Sequence, residues 1–191
     1  MAPRPRERIL AAATRLFSEE GIHATGVDRV ITEAGVAPMT VYRHFAGKDD
    51  LVTATLERWS EQWLGWLGSE ARGDDARARL EGLWDALEKW FADEGFRGSY
   101  VANVATELRA KPSHPAQAVI AAHRAALRQL LQDLVTATGA PLSPAAALQL
   151  QMLIDGAIAV AVVDRQPGAA ASAREMAGGL LALPPVPAGR R

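Results

Sequence analysis

The chain has 191 residues, of which 49% are hydrophobic, and a formal net charge of −1 at pH 7. A chain of this length and composition can bury a proper core, which excludes an intrinsically disordered protein. It contains no cysteine, so disulfide frameworks, thiolate metal sites and cysteine nucleophiles are excluded, and a reducing cytoplasm is expected. We expect no apolar run to reach the length of a membrane span, and the start MAPRPRER lacks the apolar segment of a secretory signal, so no membrane partner is expected.

Basic residues are concentrated at the start of the chain. The first fifteen residues have a local charge of +4 − 1 = +3, which comes from Arg4, Arg6, Arg8 and Arg15 against Glu7. Because the whole chain is nearly neutral, any binding to nucleic acid must depend on such a local patch. A helix that ends at Gly21 is predicted over the same region, because apolar residues recur at helical spacing at Ile9, Leu10, Ala13, Leu16 and Phe17.

Two short helices joined by a glycine corner are predicted in VDRVITEAGVAPMTVYRHF, residues 27–45. Gly35 ends the first helix, because glycine adopts the left-handed backbone of a helix end without strain. Pro38 starts the second helix, which has Val41 and Phe45 on its inner side. The second helix is too short to bury much surface, so its other side chains are predicted to be presented to a partner. These side chains are Met39, Thr40, Tyr42, Arg43 and His44.

The segments that flank this pair also have helix signals. Thr25 is the predicted N-cap of the first short helix, with Asp28 three residues later as an acidic variant of the capping box. Its hydroxyl is also expected to touch phosphate. A long helix is predicted to begin near Lys48, because Asp49 and Asp50 are favourable at the positive end of a helix.

Further helices separated by polar and proline-containing breaks are predicted in the rest of the chain, and no stretch alternates with a period of two. The predicted fold class is therefore all-α. Ser143 is expected to cap a helix that begins at Pro144 and is apolar nearly all round, which implies burial on more than one side. Together with a last helix near 169–183, it is expected to form half of a four-helix interface with a second copy. Residues 184–191 are expected to be a disordered tail.

The first quarter of the chain resembles the DNA-binding domain of the TetR (tetracycline repressor) family of bacterial regulators. The resemblance rests on RERILAAATRLFSEEGIHATGVDRVITEAGVAPMTVYRHFAGKDDLV, in which LFSEEG, T-x-V-x-x-V, AGV, TVYRHF and K-x-x-L follow in order. The rest of the chain resembles the family's helical regulatory domain, and the texts RGSYVANVATEL, HPAQAVIAAHR and LIDGA are similar to one subgroup of the family. The resemblance implies a three-helix helix-turn-helix domain at 1–47 and a helical ligand-binding and dimerisation domain at 48–183. It also implies a homodimeric repressor that a small-molecule effector releases from a double-stranded DNA operator.

Roles in DNA binding are proposed from helix-turn-helix geometry and from this resemblance. Pro38, Met39 and Thr40 lie at the start of the recognition helix and are assigned to base edges or thymine methyl groups. Arg43 is assigned to a guanine or a phosphate. By resemblance, phosphate contacts are assigned to Tyr42, His44, Lys48 and Thr25 with the backbone at its helix start. Arg4 and Arg6 are expected at the adjacent minor groove or the backbone.

Structural roles remain open for several of the same residues. Phe45 is expected in the small three-helix core, where Tyr42 is an alternative member, whereas His44 is either a phosphate contact or a cap for a helix end. Arg43 is either a DNA contact or a solvated surface residue. Ala37 departs from the Ser or Thr that the family often has before the recognition helix, so no side-chain cap is expected there. We therefore expect Ala37, Pro38 and Met39 to set this protein's own operator preference.

Two sets of residues are candidates for effector binding. Aromatic residues are expected to line an apolar pocket or to fill core, and the set comprises Trp59, Trp63, Trp66, Trp84, Trp90, Phe91, Phe96 and Tyr100. Polar residues on otherwise apolar faces form the second set, which comprises Asn103, Glu107, His123 and Asp155. The second set is either a satisfied core network, a ligand-recognition cluster or a metal site with oxygen and nitrogen ligands. Trp63, Trp84 and Tyr100 are the aromatic residues that we assign to the ligand.

Enzymatic function is not predicted. Glu107 and His123 are residue types that serve as base and acid, but the sequence supplies no nucleophile, cofactor fingerprint or oxyanion loop, and no cofactor is expected. The alternative to a DNA-binding regulator is a helical small-molecule-binding protein without operator-specific DNA binding.

Overall fold

The computed structural model describes residues 3–139, 145–166 and 168–182. These residues form helices and connecting turns without a strand, so the prediction of an all-α fold is confirmed. In chain order the helices are α1 (Pro5–Glu19), α2 (Val27–Ala34), α3 (Pro38–His44), α4 (Lys48–Glu70), α5 (Ala76–Phe91), α6 (Tyr100–Glu107), α7 (Ala116–Ala137), α8 (Ala146–Val163) and α9 (Ala169–Ala182).

Two compact units are formed by the described residues. The first contains residues up to 63 together with 99–123, and the second contains residues 64–98 together with those from 124 onward. Helices α4 and α7 are therefore shared between the units. The functional division after residue 47, which the resemblance implies, stays a prediction.

The hydrophobic core of the first unit joins α1, α2 and α3 to the first half of α4 and to α6. Its fully buried leucines and isoleucine each contribute about 1.5–3 kcal/mol through burial. Representative members are Ile9, Leu16, Val30, Val41, Leu51, Leu56, Val104 and Leu108. The three short helices before α4 are thus held on one shared core, and their polar faces remain outside.

The corner between α2 and α3 forms as predicted. Gly35 has φ +59° and ψ +43°, the left-handed conformation that ends α2, and Pro38 occupies the first turn of α3. Ala37 is the N-cap of α3 and provides no side-chain hydrogen bond, which confirms the expected absence of a cap. Val41 and Phe45 are buried on the inner side.

The predicted N-cap at Thr25 is wrong. Gly26 is the N-cap of α2, and Thr25 is fully buried. Its hydroxyl donates a hydrogen bond to the carbonyl of Gly21 at 2.8 Å, which closes the turn after α1. A threonine hydroxyl can also donate to the carbonyl four residues earlier, so threonine before a helix is compatible with a turn as well as with a cap.

In the second unit, α9 packs against α8 and α5. The expectation that no apolar run reaches the length of a membrane span is wrong for α8. This helix has 18 residues with a mean hydropathy of 1.8, which by length and composition alone is sufficient for a span. One side of α8 is buried, as at Leu150 and Ile154. The predicted cap at Ser143 and the predicted tail at 184–191 lie outside the described residues.

Candidate nucleic-acid interface

The outer face of α3 is polar and accessible above an apolar inner face. Met39 is 75% exposed and Tyr42 is 51% exposed, whereas Val41 and Phe45 are buried. Arg43 is also exposed, and the predicted base-edge and phosphate residues Pro38, Thr40 and His44 are exposed or half-buried. The inward and outward directions predicted for α3 are confirmed, although the contacts assigned to these side chains stay predictions.

Arg8 fixes the corner that presents α3. Its guanidinium donates to the carbonyl oxygens of Ala34 at 2.6 Å and Gly35 at 2.8 Å, which satisfies the C-terminal end of α2. A Cβ atom on Gly35 would lie 2.9 Å from Arg8 Nη2, so a larger residue there would displace this guanidinium as well as strain the backbone. No local sequence pattern signals a bond to a residue 26 positions away, so the sequence predicts only a basic residue at Arg8.

The turn from α3 to α4 is closed by a hydrogen bond at the start of α4. The carboxylate of Asp50 accepts the N–H of Ala46 at 2.9 Å, and Lys48, the predicted phosphate contact, lies half-buried between them. The guanidinium of Arg6 lies 5.5 Å from the centroid of the Phe45 ring. A cation–π contact of this kind holds the positive charge of Arg6 beside the C-terminal end of α3.

Ion pairs neutralise another part of the basic patch. Arg15 contacts the carboxylates of Glu19, at 2.7 Å, and of Glu33. Arg29 lies 3.4 Å from Glu20 and 3.6 Å from Glu33. Arg8 is bound to backbone carbonyls, so among the arginines of the first fifteen residues only the side chains of Arg4 and Arg6 take part in no ion pair or hydrogen bond in the described part of the chain, although Arg6 contacts the Phe45 ring. Both are exposed.

Thr25 cannot offer its hydroxyl to phosphate in this conformation, because the side chain is fully buried and bonded to Gly21. Gly26 at the start of α2 is exposed, so the phosphate contact predicted for this region would have to come from the backbone N–H groups of the helix and not from the Thr25 hydroxyl.

Three of the predicted effector residues come together in the first unit. Trp63, Tyr100 and His123 surround Trp59, whose ring stacks on Trp63 at 5.7 Å and is tilted against the other two rings. The Nδ1 atom of His123 hydrogen-bonds with Ser60 Oγ at 2.9 Å. The Tyr100 hydroxyl bonds with Thr55 at 2.9 Å, and burial raises the pKa of Tyr100 above its ordinary value. In this structure the cluster is a packed aromatic network with polar partners.

The remaining polar candidates do not join that cluster. Asn103 is exposed, which differs from the apolar setting expected for it. Asp155 is ion-paired with Arg124 at 2.6 Å in the second unit. Glu107 accepts hydrogen bonds from the backbone N–H groups of Ile22 and His23. Among the residues the structure describes, no group of three or more His, Asp or Glu side chains is arranged to hold a metal ion.

A cavity of about 390 Å³ lies in the second unit, between α5, the end of α7 and α9. Leu80, Trp84 and Ala177 give it an apolar floor, and each of these side chains is buried. At its polar side Arg174 pairs with Glu81 and, at 2.8 Å, with Asp85. Trp84 is thus the predicted effector residue that lines this cavity, whose volume is in the range typical of small-molecule sites.

Large apolar side chains are exposed on α8 and α9. They are Leu148, Met152, Val160, Val162 and Val163 on α8 and Met176 on α9, with exposed fractions between 41% and 77%. A group of this kind on two packed helices is typical of a protein–protein contact surface.

Comparison with known proteins identifies the N-terminal region. Residues 9–55 match the family model described as bacterial regulatory proteins, tetR family. The chain is 29% identical over 107 residues to the HTH-type transcriptional activator FasR of Mycolicibacterium smegmatis, a match that covers 53% of this chain and 48% of FasR. It is 40% identical over 57 residues to the HTH-type transcriptional regulator LmrA of Bacillus subtilis, covering 29% of this chain and 30% of LmrA. The chain therefore spans half or less of these curated relatives.

Solved structures match over nearly the whole chain. SCO4454, a TetR-family transcriptional regulator from Streptomyces coelicolor, is 31% identical with a TM-score of 0.82, and the match covers 93% of this chain and 94% of SCO4454. The reduced form of NemR from E. coli also has a TM-score of 0.82, with 20% identity and coverage of 92% and 97%, which indicates a shared fold.

Proposed function

The chain belongs to the TetR family of bacterial transcriptional regulators, and from that premise we propose that it is a homodimeric repressor that a small-molecule effector releases from its operator. The observation that carries the proposal is the exposed polar face of α3, which is held by a buried inner face and a left-handed glycine corner. A helix presented in this way fits the major groove of DNA, where base edges carry a distinct hydrogen-bonding code.

In this proposal different side chains of α3 contact different parts of the DNA. Met39 and Thr40, at the start of the helix with Pro38, face base edges and thymine methyl groups. Arg43 reaches a guanine or a phosphate, while Tyr42 and His44 hold the phosphate backbone. The same backbone is contacted by Lys48, by Arg4 and Arg6, and by the N–H groups at the start of α2.

The exposed apolar surface of α8 and α9 supports a homodimer. A second copy would cover Met152, Val163 and Met176, which are each more than 60% exposed in a single chain. Pairing through two helices from each copy makes a four-helix contact with two-fold symmetry. Two DNA-binding heads could then enter successive major grooves, about 34–36 Å or a multiple of that distance apart.

The cavity lined by Leu80, Trp84 and Ala177 supports effector binding in the second unit. Its apolar floor and charged side suit a small molecule with an apolar body and at least one polar group. An effector that binds the DNA-free state more tightly shifts the population away from DNA, and that difference in affinity limits its effect. Members of this family are generally DNA-binding regulators without enzymatic activity, and we propose the same, with a cytoplasmic location, for this chain.

Selection of bound fragments from the genome of the source organism tests this function. Purified protein is expected to enrich fragments that share one short sequence with two related halves, and enrichment without a shared sequence would overturn the proposal. Transcripts downstream of that sequence are then compared with and without the gene for this protein. A rise on deletion indicates repression, whereas a fall would assign this chain the activator role that the name of FasR indicates for that protein.

A further inference from the structure

Glu107, at the end of α6, is bound to the loop that leads from α1 into α2. Its carboxylate accepts the backbone N–H of Ile22 at 2.9 Å and of His23 at 3.0 Å, and it also lies 3.0 Å from the ring Nδ1 of His23. Partial burial raises the pKa of Glu107, but these three donors outweigh it, so the pKa lies below its ordinary value. Gly21, with φ +88°, brings the loop close, since a Cβ atom there would be 3.4 Å from the carboxylate.

A second contact joins the neighbouring segment to the start of α4. His114 is buried, and its Nδ1 accepts the N–H of Ala116 at 3.1 Å, which assigns the ring proton to Nε2. The Nε2 atom of His114 lies 3.3 Å from a carboxylate oxygen of Asp49. Asp49 is adjacent to Lys48 and to Asp50, which closes the turn after α3.

The segment between these two contacts is internally braced. The N–H of Lys111 donates to Leu108 O at 2.8 Å, and the N–H of His114 donates to Lys111 O at 3.1 Å. The side-chain amide of Gln117 donates to both of the same carbonyls, at 3.1 and 3.3 Å. Leu108 is also buried in the core of the first unit. Because the segment is held by these bonds, its two ends are expected to keep a fixed distance and orientation relative to each other.

The two contacts grip the helix-turn-helix on either side of the DNA-reading helix. Glu107 holds the loop before α2, and His114 holds the residue that follows the turn after α3. We propose that the segment from Glu107 to His114, the 107–114 clamp, positions the helix-turn-helix for DNA binding without itself contacting DNA. This inference rests on the proposed function. Glu107 and His114 are therefore positioning residues, and Glu107 has this role instead of the effector-binding role predicted from the sequence.

The clamp and simple electrostatics predict opposite changes in DNA affinity when Glu107 loses its charge. Loss of a carboxylate makes a protein less negative, which by electrostatics alone strengthens its binding to DNA. The clamp predicts the opposite for Glu107→Gln, because a glutamine has one acceptor oxygen for two backbone N–H groups and turns a donor towards the second. The matched control is Glu61→Gln, which removes the same charge from an exposed residue of α4 in the same unit.

Affinity is measured by fluorescence anisotropy on a duplex that the wild-type protein has selected from genomic fragments. We expect Glu107→Gln to weaken binding about tenfold, since hydrogen bonds to a charged group are lost, while Glu61→Gln is unchanged or slightly tighter. The dependence of affinity on salt should keep its wild-type slope in both variants, because no phosphate contact is removed. A Glu107→Gln protein that binds as tightly as the control, or that loses salt dependence, would overturn the clamp.

Hydrogen exchange separates this outcome from a failure of the proposed function. The N–H groups of Ile22 and His23 should exchange faster in Glu107→Gln than in the wild type, and this readout needs no DNA. If the wild-type protein selects no DNA, the proposed function fails independently of the clamp. If the variant binds weakly but shows unchanged exchange at Ile22 and His23, the clamp is not the cause of the weaker binding and the inference is overturned.

Asp49 provides a second test with a fully matched pair. Asp49→Asn and Asp49→Ala remove the same charge from an exposed side chain, but only the asparagine keeps an acceptor for His114. The clamp predicts that the alanine variant binds the duplex about threefold or more weakly than the asparagine variant. Equal affinities for the two variants would remove His114 from the clamp.

Discussion

Single side chains determine how strongly the helix-turn-helix domain would bind the DNA backbone. Tyr42 is exposed on α3, and the half-buried Lys48 begins α4 directly after the turn that follows α3. We propose that both side chains contact phosphate. A contact with phosphate releases a condensed counterion, which makes affinity fall as salt rises. The slope of log affinity against log salt concentration is therefore roughly proportional to the number of phosphate contacts.

We expect Tyr42→Phe combined with Lys48→Ala to weaken operator binding and to flatten the plot of log affinity against log salt by about one ion for the lost lysine contact. Lys89→Ala, on the exposed surface of α5, removes the same charge and serves as the control. Titration of the labelled operator at four or five salt concentrations gives both slopes. The phosphate assignments are wrong if the double variant and the control have the same slope.

Met39 is the residue on which base preference is expected to depend. It is the most exposed apolar side chain of α3 and follows an N-cap, Ala37, that offers no side-chain hydrogen bond. A thymine methyl group in the major groove is its natural contact. Replacing each thymine of the operator with uracil removes only that methyl group. At one position this should cost the wild type about threefold in affinity, as for one buried methyl, and cost Met39→Ala nothing.

An operator in which no uracil substitution distinguishes the wild type from Met39→Ala would show that Met39 does not read a methyl group. Binding of both proteins would remain measurable in that case, so the result would bear on base reading alone and not on DNA binding.

The sequence was informative about single residues wherever the cause is local. Gly35, Pro38 and Phe45 were placed correctly, because left-handed backbone, proline geometry and helical spacing are properties of a few adjacent residues. Arg8 and Glu107 were not, since their partners are 26 to 85 residues away. Thr25 was misassigned because the same hydroxyl suits a cap and a turn.

At the scale of elements, α8 is the helix whose exposed apolar side chains indicate a contact with another surface. The helix is apolar on nearly every side, yet Met152 and Val163 are 63% and 77% exposed in a single chain. The apolar composition of this helix predicts that a second surface covers it. Composition and length alone do not distinguish a helix that pairs with a second copy from a helix that spans a membrane.

We expect Met152→Asp with Val163→Asp to convert a dimer into a monomer, because two carboxylates would be buried in an apolar contact. Sedimentation velocity at micromolar concentration measures the change. Ala125→Asp, on an exposed position of α7, is expected to leave the dimer intact. A wild-type protein that is already monomeric at this concentration would show that the α8 and α9 surface is not an interface between copies.

Helix α9 offers a test of the cavity with two adjacent glycines. A Cβ atom on Gly178 or on Gly179 would meet nothing within 4 Å, but Gly178 alone of the two lines the cavity. Gly178→Leu is therefore expected to fill the cavity without breaking the helix and to lower binding of 1-anilinonaphthalene-8-sulfonate, a dye with an apolar aromatic body and one sulfonate group, about tenfold. Gly179→Leu should bind the dye as the wild type does. Equal dye binding by both variants would place the dye elsewhere.

Effector residues were the least predictable part of the candidate sites. Trp84 lines the cavity, whereas Trp63, Tyr100 and His123 belong to a separate packed network. Helical spacing indicates that a side chain faces inward, but it does not distinguish a filled core from the wall of a cavity. That distinction depends on how α5, α7 and α9 meet, which no single helix contains.

At the scale of the whole molecule, a net charge of −1 gives no general electrostatic attraction to DNA. One head offers a short helix and few basic side chains, of which Arg8 and Arg15 are engaged within the protein. Two linked heads bind far more tightly than one, because the second contact is made at a high effective concentration. Operator binding is thus expected only from a dimer that sets the distance between two recognition helices.

The most direct measurement is therefore the stoichiometry and footprint of the protein on its selected duplex. Analytical ultracentrifugation gives the number of chains per duplex, and hydroxyl-radical cleavage gives the protected positions. We expect two chains per site, or a multiple of two, and protected half-sites separated by about 34–36 Å or a multiple of that distance. A single chain bound to a single protected stretch, or saturation without any protected sequence, would contradict a dimeric operator-binding regulator.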